Sequence, residues 1–158
     1  MEVSVESEIE KPVQKFLDFS NQFLVVMFMK KEYLIEGAFI KETITSPSIY
    51  PFPHKRPFLK GLMSFKGNIV PVFHLIDFSP IEELEQKGKV LMFSTLEEEI
   101  FGLYIDEITN FFKLNHEDKI LNEDPNEKLD LFKGFYLKKS KPLGIIDPFK
   151  ILYIHRFS

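Results

Sequence analysis

The chain is built from short apolar segments rich in β-forming residues, separated by turns of only a few residues. Residues 23–29 form a continuous run of this kind, and two lysines separate it from residues 32–36. Short strands joined by hairpin-scale turns favour an antiparallel all-β architecture that is closed into barrels. The segments predicted as strands are 23–29, 32–36, 38–45, 58–65, 68–75, 89–95, 100–105, 107–114, 131–137 and 142–146.

Prolines and helix signals interrupt this series of strands. Four prolines within residues 46–57 predict an extended loop without regular structure. Ser79 and Pro80 suit the cap and first position of a helix that ends at Gly88. This helix divides the strands into two sets of about five, which predicts two small five-stranded SH3-like barrels packed on each other. Residues 115–130 are expected to form a polar loop or a short helix.

Two further local features are predicted from turn and helix chemistry. Gly67, within residues 66–68, supplies the positive φ that a three-residue hairpin connection needs. Asp147 and Pro148 open a C-terminal helix that carries Phe149, Leu152 and Tyr153 on one side. We therefore expect a tail at residues 1–20, a two-barrel domain at residues 21–153 and a short tail at residues 154–158.

Composition excludes several classes of site. The 158 residues include no cysteine, so disulfides, thiolate metal sites and cysteine nucleophiles are excluded. The net charge is −4, and the sequence shows no basic stripe of the kind that nucleic-acid binding requires. No apolar run approaches the ~18–20 residues of a membrane span, and the acidic N-terminus does not resemble a signal peptide. Most positive charge is lysine.

The sequence offers no convincing reactive cluster. The four histidines are His54, His74, His116 and His155, and none has the spacing of a metal site. Ser79, His74 and Asp77 could be read as a triad, but no nucleophile elbow accompanies them, and a strand-end histidine is the simpler interpretation. Runs of glutamate at turns are read as solvated surface. We therefore expect no catalytic residues, no metal and no cofactor.

The N-terminal tail contains one weak apolar pattern. Ile9, Val13, Phe16 and Leu17 are spaced so that they would share one face of a helix. Two interpretations stay open: a short docking helix or a frayed terminus.

The order of several short motifs resembles that of the CheW-like domain of bacterial chemotaxis coupling proteins. The matching pieces are residues 32–35 (EYLI), 40–42 (IKE), 57–62 (PFLKGL), 65–72 (FKGNIVPV), 102–108 (GLYIDEI), 133–135 (KGF) and 145–152 (IIDPFKIL). The resemblance extends from about residue 22 to residue 153. Lys66 stands where the family has arginine, and His74 stands where it usually has an acidic residue, so the chain resembles a divergent member.

This resemblance implies an all-β fold of two intertwined five-stranded barrels and an adaptor without catalysis. It implies two partners: the cytoplasmic tip of a chemoreceptor and the regulatory domain of a CheA-type histidine kinase. A groove between the barrels would receive the receptor's helical hairpin, and the location would be cytoplasmic, with recruitment to receptor arrays. The implied receptor-binding residues are Ile40, Glu42, Lys66 and Gly67, and the implied kinase-binding residues are Ile44, Phe58 and Ile69.

Two alternatives remain from the sequence. A protein of this fold could serve as a scaffold or regulator in a signalling system other than chemotaxis. Lysines interleaved with aromatic residues, as at Phe58, Lys60, Phe65 and Lys66, could instead belong to a small barrel that binds a ligand or nucleic acid. The simpler interpretation of this pattern is that the phenylalanines face the core and the lysines face solvent.

Overall fold

The computed structural model describes residues 22–76, 87–113, 120–121 and 131–157. Within these ranges the regular secondary structure is mainly β-strand, with a 3-10 helix (Gly37–Phe39) after the second strand and one α-helix, α1 (Pro148–Arg156), at the end. The strands are β1 Phe23–Phe28, β2 Lys31–Glu36, β3 Glu42–Thr45, β4 Leu59–Phe65, β5 Asn68–Phe73, β6 Lys89–Ser94, β7 Ile100–Ile105, β8 Glu107–Phe112, β9 Ile120–Leu121, β10 Phe132–Lys138 and β11 Lys141–Ile146.

The strands form two sheets whose membership does not follow the chain order. One sheet has the order β8-β1-β2-β11-β10-β9, and the other has the order β3-β6-β7-β5-β4. Because β1 and β2 pair with strands from the end of the chain, the predicted division of the strands at Ser79 is wrong. Most pairings are antiparallel, as predicted, but β2 with β11 and β5 with β7 are parallel. The sheets are therefore intertwined along the chain.

Three of the hairpins close through two-residue turns whose residues have positive φ. The turns are Met29-Lys30 (φ 51° and 67°), Lys66-Gly67 (50° and 85°) and Lys139-Ser140 (49° and 69°). Two successive left-handed residues match the twist of the flanking strands in such turns. The connection after β4 is thus one residue shorter than predicted, since Asn68 already pairs with Phe65.

The predicted strand over residues 38–45 is replaced by two elements. Gly37–Phe39 forms the 3-10 helix, in which the Ile40 amide donates to the Gly37 carbonyl at 3.1 Å. The chain then becomes extended, and the Lys41 amide donates to the Met92 carbonyl at 2.8 Å before β3 begins. This helical turn carries the chain from the first sheet to the second, a change of direction that a continuous strand could not make.

The loop over residues 46–57 has no regular secondary structure apart from one bridge, as its prolines predicted. Tyr50 and Leu62 exchange backbone hydrogen bonds of 2.8 Å in both directions. A Cβ atom at Gly61 would lie 2.3 Å from the Tyr50 carbonyl oxygen, so glycine is required for this close approach. The loop therefore covers the edge of the second sheet along β4.

A cluster of phenylalanines joins the second sheet to α1. Phe101 has ring contacts with Phe73, Phe93 and Phe149 at centroid distances of 6.0, 5.5 and 5.6 Å. The Asp147 carboxylate caps α1 as predicted, accepting from the Phe149 amide at 3.1 Å and the Lys150 amide at 3.4 Å. Because β11 leads directly into α1, this cluster fixes the two sheets relative to each other.

Some predictions concern residues outside the described part of the chain. These are the tail over residues 1–20, the helix beginning at Ser79, and the loop over residues 115–130 apart from β9.

Candidate protein-interaction surface

An exposed ion pair joins two separate edges of the second sheet. Glu42 begins β3, and Lys66 lies in the turn between β4 and β5. The Lys66 Nζ atom lies 3.3 Å from the Glu42 Oε1 atom, and the two side chains are 70% and 42% exposed. A solvated pair of this kind contributes only about 0–1 kcal/mol to folding. Both charges therefore stay accessible to a partner.

Gly67 allows the turn to project beside this pair. It has a φ of +85°, and a Cβ atom there would have no heavy atom within 4 Å. The reason for glycine at this position is backbone conformation, because the surrounding space is open. Residues 66–69 are all exposed, so the whole tip of the hairpin is available for contact.

Ile69 is an exposed apolar side chain next to the same turn. It is 73% exposed and pairs across the hairpin with Ser64, which is also exposed. Ile44 in β3 is half-buried against the core of the second sheet. The hairpin surface thus combines one exposed aliphatic side chain with an adjacent ion pair.

Two of the residues that the resemblance implies as partner-binding residues lie in the core. Ile40 is 6% exposed and Phe58 is 2% exposed, and both belong to the largest buried cluster. The Phe58 carbonyl also accepts from the His74 amide at 2.9 Å, which ties the start of β4 to the end of β5. In this conformation neither side chain can form a surface contact, and their role is to support the exposed residues around them.

His74 is buried without a hydrogen-bond partner for its Nε2 atom among the described residues. Its ring is 2% exposed and packs edge-on against Phe28 at 6.0 Å. Burial, and secondarily the charge of Lys60, lowers the pKa of His74 to about 4. The ring is therefore neutral at physiological pH and serves as packing, as the simpler interpretation of this residue predicted.

His155 in α1 resembles His74 in its aromatic packing and in the direction of its pKa shift. Its Nδ1 atom is buried and has no hydrogen-bond partner among the described residues, and its ring lies 5.0 Å from that of Phe73. Burial, and to a lesser degree the nearby Arg56, lowers the pKa of His155. Arg56 donates from Nη2 to the His155 carbonyl at 2.9 Å, which fastens the proline-rich loop to α1.

Neither a metal-binding cluster nor a membrane-spanning helix occurs among the described residues. No group of three or more His, Asp or Glu side chains within them could hold a metal ion. Over the same residues, no helix is both long enough and apolar enough to cross a membrane.

Sequence reasoning missed two exposed apolar side chains on another part of the surface. Leu96 is fully exposed in the turn between β6 and β7, and Phe39 is 40% exposed at the end of the 3-10 helix. For Leu96 a signal was available, since an apolar residue stands in a turn otherwise made of Thr95 and three glutamates. For Phe39 no such signal exists, because the pattern of residues 38–45 predicts a strand.

Comparison with protein families identifies this arrangement of strands and motifs. The family model described as the CheW-like domain matches residues 22–155, which is most of the chain. The chain belongs to the CheW-like domain family. The predicted resemblance is thereby confirmed, and the departures at Lys66 and His74 mark a divergent CheW-like protein.

One protein of similar sequence and one solved structure of similar fold are found for this chain. The chain is 26% identical over 115 residues to a protein described as chemotaxis protein CheW from Thermotoga maritima, a match that covers 73% of this chain and 71% of the relative. The crystal structure of scaffolding protein TtCheW from Thermoanaerobacter tengcongensis superposes with a TM-score of 0.64 at 18% identity, covering 81% of this chain and 84% of that one. The second match confirms the predicted fold of two packed SH3-like β-domains.

Proposed function

We propose that this CheW-like protein is a non-enzymatic, cytoplasmic adaptor. It couples the cytoplasmic tip of a chemoreceptor to the regulatory domain of a CheA-type histidine kinase. Membership of a family of chemotaxis scaffold proteins supports the general role. The observation that carries the specific role is the exposed hairpin tip, where an accessible ion pair and an unpartnered aliphatic side chain lie side by side.

The receptor-binding surface of this proposal is centred on Glu42, Lys66 and Gly67, with Ile40 supporting it from the core. A solvated ion pair can exchange its internal contact for contacts with a polar partner at little cost, because its net contribution to folding is small. Lysine presents one point charge, whereas the arginine of the family presents a planar fork. The contact made by Lys66 is therefore less directional than the one that arginine would make.

The kinase-binding surface of this proposal is centred on Ile69, with Ile44 beside the core of the same sheet. Isolated exposed apolar side chains act as anchors when they enter a pocket of a partner. Phe58 supports this surface from within the core and is left out of the contact itself. An apolar anchor with a polar rim is typical of interfaces that assemble reversibly.

The first test reverses the charge of Glu42. Glu42→Lys places two lysines side by side, and we expect it to weaken binding to the receptor tip about tenfold or more, because like charges at a contact are costly. The fold should tolerate the change, since the pair contributes at most about 1 kcal/mol. The measurement is the dissociation constant for a receptor cytoplasmic fragment, with thermal unfolding recorded in parallel. Glu107→Lys on β8 is the matched control, and equal weakening by both variants would argue against the assignment.

The second test places a charge at Ile69. We expect Ile69→Asp to weaken binding to the kinase regulatory domain about tenfold, which corresponds to ~1.4 kcal/mol. Because the side chain is 73% exposed, the free energy of unfolding should change little. Titration calorimetry with the isolated kinase domain measures the effect. Met29→Asp is the control, because Met29 is 61% exposed in a turn of the other sheet. Unchanged kinase binding by Ile69→Asp would remove Ile69 from the surface.

A scaffold in a signalling system other than chemotaxis is the second candidate, favoured by Lys66 in place of the family arginine. For that function we expect binding to a kinase domain without binding to chemoreceptor tips. The same two titrations therefore distinguish the candidates.

A further inference from the structure

A pocket lies on the first sheet, near the end at which two of its hairpin turns are found. Because β2 and β11 run parallel, the turns that precede them, Met29-Lys30 and Lys139-Ser140, lie at the same end of this sheet. The pocket beside these turns has a volume of about 420 Å³. Cavities of about 300–1,000 Å³ are large enough to receive a ligand.

The inner wall of the pocket is apolar and is fixed by packing. The rings of Tyr33 and Phe132 stack with centroids 5.9 Å apart and an interplanar angle of 9°. A Cβ atom at Gly144 would lie 2.7 Å from the Phe132 ring, so glycine lets this ring lie directly against β11. Phe135 is 6% exposed and lines the pocket from β10. The pocket therefore offers a preformed apolar surface to an occupant.

The rim of the pocket is positively charged. Lys30, Lys31 and Lys141 line it, and all three are exposed. Lys139 is exposed in the adjacent turn. None of these four lysines forms an ion pair among the described residues. The chain as a whole has a net charge of −4, so the cluster opposes the overall charge of the protein.

The acidic side chains near this end of the sheet do not neutralise the rim. Glu32 lines the pocket, but it already has an interaction within the chain. The Asp106 carboxylate accepts a hydrogen bond of 2.8 Å from the Met29 amide. Glu107 is exposed, but it lies on β8, at the edge of the sheet beyond β1. The residues that line the pocket thus carry three positive charges and one negative charge.

This pocket is distinct from the surfaces proposed to bind the receptor and the kinase. Its lining residues all come from the first sheet, whereas Glu42, Lys66 and Ile69 belong to the strands and the hairpin of the second sheet. A partner bound in the pocket therefore makes contacts that neither of those surfaces supplies.

We propose that this pocket binds an acidic segment of a partner protein. One apolar side chain of the segment lies against Phe132 and Phe135, and its carboxylates lie beside Lys31 and Lys141. Lysine ammonium groups are point charges on flexible stems, so they can reach carboxylates at varied positions. The apolar wall supplies the anchor, and the complementary charge selects against basic partners.

The combination of charge and apolar wall favours a peptide over a nucleic acid. A nucleic-acid site needs a basic stripe that follows a phosphate backbone. Here the four lysines are confined to two hairpins, and an apolar wall lies beside them. A chain that carries both acidic and apolar side chains matches both features.

The absence of tryptophan from the protein permits a direct test. The probe is a blocked pentapeptide that has one tryptophan between two pairs of glutamates. We expect a saturable blue shift of the tryptophan emission as the ring enters the pocket, and weaker binding as salt screens the charges. Lys31→Glu combined with Lys141→Glu should weaken binding at least about tenfold. Both side chains are exposed, so the fold should tolerate these changes.

The matched control is Lys55→Glu combined with Lys113→Glu. It changes the net charge by the same amount at two exposed lysines that do not line the pocket, and binding should stay within about twofold of the wild-type value. Equal weakening by the two double variants would show a response to net charge alone and would overturn the proposal. The absence of a saturable blue shift with the wild-type protein would overturn it as well.

NMR titration with the same peptide locates the contact. The largest changes in amide chemical shift are expected at residues 30–33 and 141–144, and largest changes elsewhere would contradict the assignment. Vesicles of phosphatidylserine and phosphatidylcholine and a short single-stranded DNA are titrated in parallel. If either of them bound these residues more tightly than the peptide does, the cluster would belong to a lipid surface or to a nucleic acid, and the proposal would be wrong.

Discussion

Phe101→Ala is expected to lower the free energy of unfolding by about 4 kcal/mol. Phe101 is 1% exposed and touches three other phenylalanine rings, so its truncation removes buried apolar area and leaves a cavity. The cavity would lie beside Phe149, where α1 meets the second sheet. Because β11 leads into α1, we expect the variant to loosen the attachment between the sheets as well as to lose stability.

Urea unfolding at neutral pH measures this effect. Phe101→Leu is the matched control, because it keeps most of the apolar volume and should cost far less. Phe111→Ala is a second control, since Phe111 is 45% exposed and should cost less than 1 kcal/mol. A loss below about 1 kcal/mol for Phe101→Ala would contradict the central place of this ring in the core.

The second large effect is expected from acid. Burial lowers the pKa of His74 to about 4, whereas the unfolded chain titrates near the ordinary value of 6.5. The native state therefore binds fewer protons than the unfolded state between these values. The contribution of neutral His74 to stability is fully present above pH 6.5 and is lost progressively as the pH falls towards 4. The total loss is about 3 kcal/mol, since one pKa unit corresponds to ~1.4 kcal/mol.

The measurement is the urea midpoint at a series of pH values from 7.5 down to 4. His74→Leu should flatten this profile by removing the titrating ring, although it also changes the stability at neutral pH. A residual slope should remain, because the pKa of His155 is lowered in the same direction. His54→Asn is the control, because it replaces an exposed histidine on the proline-rich loop. An identical pH dependence in His74→Leu and the wild-type protein would contradict the buried, neutral state of His74.

Local sequence patterns predicted most of the strands, because the formation of a single strand depends mainly on residues that are close to it in the chain. The run over residues 23–29 became β1, and the alternating segment over residues 58–65 became β4, each within one residue at its ends. Asp147 capped the final helix as its chemistry predicted. The helical turn at Gly37–Phe39 was missed because its cause is tertiary: it moves the chain between sheets.

The order of strands in the sheets could not be predicted locally. The parallel pairing of Ile145 with Leu34 joins residues from opposite ends of the chain, and no short-range pattern indicates it. The same limit applies to the candidate surface. The resemblance indicated Glu42 and Lys66 as separate residues of a binding surface. Only the closure of the second sheet brings the Lys66 Nζ atom to 3.3 Å from the Glu42 Oε1 atom. The burial of Phe58 agrees with the simpler interpretation of its segment, in which phenylalanines face the core, and it conflicts with the kinase contact that the resemblance implied for this residue.

The second sheet exposes one polar and one apolar surface, which fit the two different partners proposed for this adaptor. Charged residues at the hairpin tip suit a polar receptor contact, and Ile69 suits an apolar contact with a kinase domain. These two surfaces can be altered independently, because their exposed residues contribute little to the core.

The most direct test of the adaptor role is whether the protein bridges its two proposed partners. A soluble receptor cytoplasmic fragment is immobilised, and the kinase regulatory domain is passed over it with and without the CheW-like protein. We predict that the kinase domain is retained only when the CheW-like protein is present, and that both Glu42→Lys and Ile69→Asp reduce the amount retained. Equal retention of the kinase domain with and without the CheW-like protein, or binding of this protein to neither partner, would contradict the coupling function.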